Sequence, residues 1–152
     1  MRIFSSATEI LEAVGEELGI SEWVNVTQDR VQTFADATGD HQWIHVDVER
    51  AKRESQFGGP IAHGYLSLSL LPMLGWQIYT IEGAKMGINY GSNKVRFPAA
   101  VPVGARVRLR STLHSAEQIP DGTLQLIVNQ VLEIDGQPKP AVVAETISRI
   151  AF

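Results

Sequence analysis

The chain has no cysteine among its 152 residues. That excludes a disulfide framework, a thiolate nucleophile and any zinc site built on cysteine. It has no surplus of positive charge: 13 Lys and Arg stand against 17 Asp and Glu, a formal charge of −4. A general nucleic-acid binder carries the opposite balance. The N-terminal stretch MRIFSSATEILEAVGEELG lacks the apolar core of a signal peptide, and Glu9, Glu12, Glu16 and Glu17 make it unlike a transit peptide. Long hydrophobic runs are missing too. The longest, Tyr65 to Trp76, is interrupted by Ser67, Ser69, Pro72 and Gly75, short of the ~18 uninterrupted residues that suggest a membrane span. The expectation is a soluble, cytoplasmic protein with neither a membrane span nor a nucleic-acid partner. What is present fits one globular domain over 1–152: 44% hydrophobic and 20% charged residues, with no repeat or linker.

Periodicity divides the chain into a helical first half and a stranded second half. Ile10, Leu11, Val14 and Leu18 recur at helical spacing over residues 6–18, with Gly19 as a stop. Glu22 to Val26 reads as a short strand. Thr27 caps a helix through Val31, Phe34, Ala35 and Thr38, and Gly39 suits its left-handed C-terminal position. Asp47 caps a further short helix, VERAKRE, and Ser55–Ala62 is loop by composition. From Gly64 to about Tyr79 the residues are apolar nearly all round. This predicts a helix buried on every side and kinked or split at Pro72.

Beyond Lys85 the period becomes two. Arg106-Val107-Arg108-Leu109-Arg110 alternates charge with apolar residues. Leu124, Leu126, Val128, Leu132 and Ile134 form another row, with Gln130 its one polar member. Asp121-Gly122, Asp135-Gly136 and the Pro98–Pro102 segment mark turns, and AVVAETISRIAF reads as the last strand. The arginine stripe reads as a solvent face or as protection of an edge strand, and His114 as a surface residue. Helices set against an antiparallel sheet make an α+β fold. The specific expectation is the hotdog fold, a long sheet wrapped around a central apolar helix.

Chemistry concentrates in Phe34 to His45, FADATGDHQWIH, which brings Asp40 and His45 together just after a helix end. Each has a plain structural reading: Asp40 as a turn residue, His45 as a partly buried histidine with satisfied hydrogen bonds. Some twenty residues on, His63-Gly64 opens the apolar helix, where an unpaired N–H is available to a developing anion. A glycine there also permits close packing. The four histidines lack a metal-site spacing.

Together these residues resemble the MaoC-type dehydratases, the (R)-specific enoyl-CoA hydratases. The likeness runs through Phe34-Ala35, Thr38-Gly39-Asp40, Ile44-His45, His63-Gly64, Asn89-Tyr90-Gly91, Asn93 to Pro98 and Val101 to Gly104. Gln42 and Trp43 depart from the signature, which usually has Asn and Pro there. The likeness is greatest to the short single-domain hydratases of actinobacteria, a group related to nodulation protein N. The resemblance implies a homodimer that adds water reversibly to a trans-2-enoyl thioester, giving the (R)-3-hydroxyacyl thioester without metal or redox cofactor. It implies Asp40 and His45 as the catalytic pair, acid and base unassigned between them, and Gly64 as the backbone oxyanion donor.

Those roles suit the reaction. One water must be gripped while charge builds on the thioester oxygen, so two polar side chains and a backbone donor are needed. Gln42 and His63 border the pair as candidates for substrate binding, His63 and His41 also for loop hydrogen bonding. Lys94 and Arg96 are candidates for the phosphates of coenzyme A or, equally, an ordinary solvated strand face. Acyl carrier protein is a second possible thioester carrier. Two rival readings stay open: a hotdog thioesterase, and a non-catalytic subunit that binds acyl thioesters.

Overall fold

Alternating apolar residues in the second half build four long strands: β5 (Met86–Arg96), β6 (Arg106–Gln118), β7 (Leu124–Ile134) and β8 (Val142–Ala151). They were traced in a computed structural model that describes residues 1–152. Preceding them in the chain are β1 (Arg2–Phe4), α1 (Ala7–Glu12), β2 (Glu17–Ile20), β3 (Val24–Asn25) and α2 (Gln28–Thr38). Next come α3 (Trp43–Val46), α4 (Val48–Glu54), α5 (Gly64–Ser69), α6 (Leu71–Gly75) and β4 (Tyr79–Ile81). The main sheet is antiparallel, in the order β2-β6-β7-β8-β5, with β3 pairing farther along β6. Its concave face holds α5 against β8 and α6 against β6. A hydrophobic cluster of 25 buried residues fills the space between them. This is the hotdog arrangement expected from the sequence. No helix is long and apolar enough to cross a membrane.

Local chemistry explains the boundaries that were anticipated. Thr27 Oγ1 accepts from the Arg30 N–H at 3.2 Å, and Gly39 closes α2 in the left-handed region at φ 80°. Asp47 caps α4 by accepting from the Arg50 N–H at 3.0 Å. Every second residue of β7 is buried, from Leu124 through Gln130 to Ile134. His114 is exposed on β6.

Four expectations are corrected. The helix read over 6–18 stops at Glu12, and Leu18 faces the core from β2 instead. Backbone pairing with β6 wins there: Gly15 N–H donates to the Leu113 carbonyl and Leu113 N–H to that of Glu16. Those bonds satisfy groups on β6 that another helical turn would leave bare. The central helix splits into α5 and α6 as expected, but at Leu70, and it ends at Gly75 instead of near Tyr79, which opens β4. Pro72 falls in the first turn of the second piece, where its missing N–H costs nothing. That helix pair is not buried on every side, for Tyr65 is 72% and Trp76 74% exposed in the single chain. The arginine stripe does not protect an edge, because β6 is flanked on both sides. Arg108 and Arg110 instead bind Glu133 on β7 at 2.6 and 3.0 Å, and Arg110 reaches Glu17 on β2 at 2.7 Å. The short parallel pair β1–β4 lay outside the sequence reading altogether.

Leu74 on α6 is 0% exposed at the centre of the cluster. Leu74→Ala is expected to destabilise the fold by about 2–5 kcal/mol, because the cavity left behind adds to the lost transfer energy. Urea denaturation monitored by circular dichroism measures it.

Candidate active site

The end of α2 and the start of α5 meet through a short set of hydrogen bonds. Gly39 turns the chain sharply, so Asp40 follows directly on the helix end. The Asp40 Oδ1 then accepts from the Gln42 N–H at 3.3 Å, which helps the chain into the single turn of α3. That turn carries His45, only 6% exposed.

His45 is held at both its ring and its backbone. Its Nδ1–H donates to the Ile61 carbonyl at 2.6 Å, while the Ile61 N–H donates to the Ile44 carbonyl at 3.0 Å. The Gln28 side-chain amide donates to the His45 carbonyl at 2.8 Å. Because Nδ1 carries the hydrogen, the neutral ring keeps a lone pair on Nε2. Burial pushes the pKa of this imidazole below the ordinary histidine value. The Ile61 carbonyl partly opposes that shift, neighbouring His63 adds to it, and the Asp40 carboxylate works against it.

His63, 2% exposed, ties the two segments together. Its Nε2–H donates to the Asp40 main-chain carbonyl at 2.9 Å. Its ring stacks on that of His45 with centroids 3.8 Å apart and planes 27° apart, and Phe34 packs 5.0 Å away. A carboxylate oxygen of Asp40 and one ring nitrogen from each of His45 and His63 lie within 4.8 Å of one another. Such a group is close enough to invite a metal ion, but the rings are poorly aimed for one. A metal sits near the plane of each imidazole it binds, at ~2.1 Å from the nitrogen. Stacked rings with planes 27° apart hold their nitrogen lone pairs in separate planes, which disfavours a single shared ion.

A single water fits the same spacing better. A water donating two hydrogen bonds of about 2.8 Å at its near-tetrahedral angle reaches acceptors roughly 4.5 Å apart. A carboxylate and an unprotonated Nε2 are both acceptors, so one water can donate a proton to each.

Gly64 is the first residue of α5, following His63 in extended conformation. Its N–H has no backbone partner, as expected at a helix start. The Phe97 ring lies across it: a Cβ built at Gly64 would sit 3.3 Å from three of its carbons. Close packing and a free donor therefore coexist at this residue.

The remaining candidates lie outside this cluster. Gln42 is exposed, and its side chain makes no capping bond. His41 is exposed and bonds Asp36 at 2.8 Å. Lys94 pairs with Glu145 across β5 and β8 at 3.0 Å. The Arg96 guanidinium donates to the Val95 carbonyl at 2.8 Å, one residue before the Phe97 that covers Gly64. Sequence reasoning missed Ile61 and Gln28. Ile61 contributes only its main chain, which no side-chain pattern advertises. Gln28 is an ordinary polar residue in the first turn of α2.

The family described as MaoC like domain matches residues 9–133. The 3-hydroxyacyl-thioester dehydratase Z of Mycobacterium tuberculosis is 55% identical over 149 residues, covering 98% of each chain. Nodulation protein N of Rhizobium leguminosarum bv. viciae is 43% identical over 148 residues, covering 97% of this chain and 92% of its own. Among solved structures, an (R)-hydratase from A. caviae involved in PHA biosynthesis superposes with a TM-score of 0.71 at 22% identity, covering 91% of this chain and 96% of its own. A monoamine oxidase regulatory protein from Archaeoglobus fulgius gives 0.80 at 23%, covering 98% and 95%. At such identities the superpositions speak for the fold alone. The match over residues 9–133 and the near full-length identity to the dehydratase establish the lineage: this chain is a member of the MaoC-like dehydratase family.

Proposed function

We propose that this protein adds water to trans-2-enoyl thioesters of coenzyme A, giving (R)-3-hydroxyacyl thioesters, and catalyses the reverse dehydration. The observation that carries the reading is the approach of the Asp40 carboxylate to the His45 ring beside the free N–H of Gly64. Water held between the two acceptors attacks C3. Electrons of the C2–C3 double bond move toward the thioester carbonyl, and negative charge collects on its oxygen as an enolate. The Gly64 N–H meets that oxygen. As α5 is only six residues long, the donor acts through its hydrogen bond more than through a helix dipole. The proton taken from water by the Asp40–His45 pair returns to C2 on the same face, so atoms and charge balance and addition is syn. No metal or redox cofactor enters.

His63 is assigned to holding the pair, its Nε2–H on Asp40 and its ring on His45, rather than to gripping substrate. Arg96 and Lys94 lie on the strand leading to Phe97 and are assigned to the coenzyme A phosphates. Gln42, with its free side chain, is assigned to the polar arm of the thioester.

The reading includes a homodimer. β5 pairs only with β8, so its other edge presents bare N–H and C=O groups. Along it Met86, Ile88 and Tyr90 are exposed, and Tyr65 and Trp76 are exposed on the helices that the sheet wraps. Pairing β5 with its counterpart in a second copy would satisfy that edge and extend the sheet. Sedimentation is expected to give twice the chain mass of 16.7 kDa. A charge introduced by Ile88→Lys should shift the species toward monomer.

Loss of absorbance from crotonyl-CoA, with no free thiol released, is the direct assay. Asp40→Asn and His45→Gln are each expected to lower kcat by at least about 100-fold, the usual scale for a lost acid–base group. Their circular dichroism should be unchanged. Near-wild-type rates in either variant would remove that residue from the mechanism, and thiol release would mark a thioesterase instead.

The pH profile follows from the state of His45. The pair needs its Nε2 unprotonated, and burial holds the pKa low. Activity is therefore lost as pH falls through that depressed value, placing the acid limb of kcat/KM below about 6.5, the ordinary histidine value. A limb at or above that value would contradict the assignment.

A further inference from the structure

Beside the helix pair, a cavity of about 580 Å³ opens between α5–α6 and strands β5 and β8. Its volume is ordinary for a small-molecule site. Gly64, Leu68, Leu71 and Gly75 succeed one another at helical spacing, so they share one face of the helix pair. The last three line the cavity. Its near end therefore lies about one turn, or ~6 Å, from the N–H of Gly64.

The two walls differ in chemistry. Leu68, Leu71 and Trp76 form the helical wall, as expected inside a domain. The facing wall sets a polar run between Ile88 and Ile150, where a sheet covering a helix is normally apolar throughout. In register, Ser92 lies opposite Thr146, and Asn89 opposite Ser148. Gln130 sits beside them on β7, its amide 3.4 Å from Thr146 Oγ1. The fully buried Ser111 hydroxyl donates to Gln130 Oε1 at 2.6 Å, which turns the amide NH2 toward the cavity. The side chains of Asn89 and Ser92, exposed in the single chain, and of half-buried Ser148 have no hydrogen-bond partner within the chain. Polar groups closed off from water by a plain alkyl chain would cost about 1–3 kcal/mol each. A chain that carries its own oxygen would satisfy them.

On the hydratase reading, we propose that this cavity takes the distal part of the acyl chain and selects chains bearing a hydroxyl or carbonyl oxygen over unsubstituted chains of equal length. The Gln130 NH2 and the Asn89 and Ser148 side chains supply the hydrogen bonds. The helical wall covers the methylenes.

The test compares kcat/KM of the full chain for trans-2-decenoyl-CoA with that for its 9-hydroxy and 9-oxo analogues, alongside crotonyl-CoA, which is too short to reach the polar wall. The oxygenated substrates are expected to be favoured by about tenfold or more, as sites built to hydrogen-bond a substrate reject the apolar analogue. Asn89→Leu and Ser148→Val, made separately, should each pull the ratio toward unity or below. A ratio within one enzyme preparation is insensitive to the folded fraction. Wild-type preference for the plain chain, or an unchanged ratio in both variants, overturns the proposal while leaving the hydratase reading intact. No turnover even of crotonyl-CoA overturns both.

Discussion

The hydrogen bond from His45 Nδ1–H to the Ile61 carbonyl is the contact on which the site depends. At 2.6 Å, with the Ile61 N–H returning to the Ile44 carbonyl, it sews the segment after α2 to the segment before α5. It also chooses the tautomer, since a carbonyl can only accept. The free nitrogen of the ring is thereby Nε2. Ile61 is held in turn by a bridge to Pro102, and Ala62 by a bond to Val101, so the loop between β5 and β6 backs the histidine from behind.

From that anchor the rest of the arrangement follows by stacking and capping. His63 lies on His45 and donates to the carbonyl of Asp40, so the carboxylate and the imidazole are positioned by one residue that touches both. The same residue precedes Gly64, which places the helix start beside the pair. A buried imidazole beside a solvent-exposed carboxylate gives two acceptors in different environments. Such a contrast suits the proposed proton transfer from water.

The sheet has a second role besides covering the helices. On β7 the buried row is apolar except at Gln130. On the adjoining strands polar residues line the cavity at Thr146, Ser148, Asn89 and Ser92, the last two exposed in the single chain. Ser111 is buried at 0% exposure and joined to Gln130, so the interruption is internally bonded and built into the sheet. One face of one fold thus carries both the apolar core and a wall able to read a substituent.

Much of this was legible in the chain itself. Thr27, Gly39 and Asp47 announce helix ends because their side chains or lack of one act on neighbouring backbone, and local chemistry needs no tertiary context. The period-two rows of β6 and β7 announce a sheet with one buried face, and the spacing of Asp40, His45 and Gly64 marks the site's components. Other features depend on distant partners. Whether residues 13–18 continue a helix was decided by β6, whose backbone groups needed pairing. The arginine stripe belongs to an interior strand because β2 and β3 lie beyond it. The tautomer of His45 hangs on a main-chain carbonyl sixteen residues away. The sequence alone determined which residues could cap, alternate and react. Only the tertiary structure decided which of them meet, because a backbone carbonyl carries no signature in the residue to which it belongs.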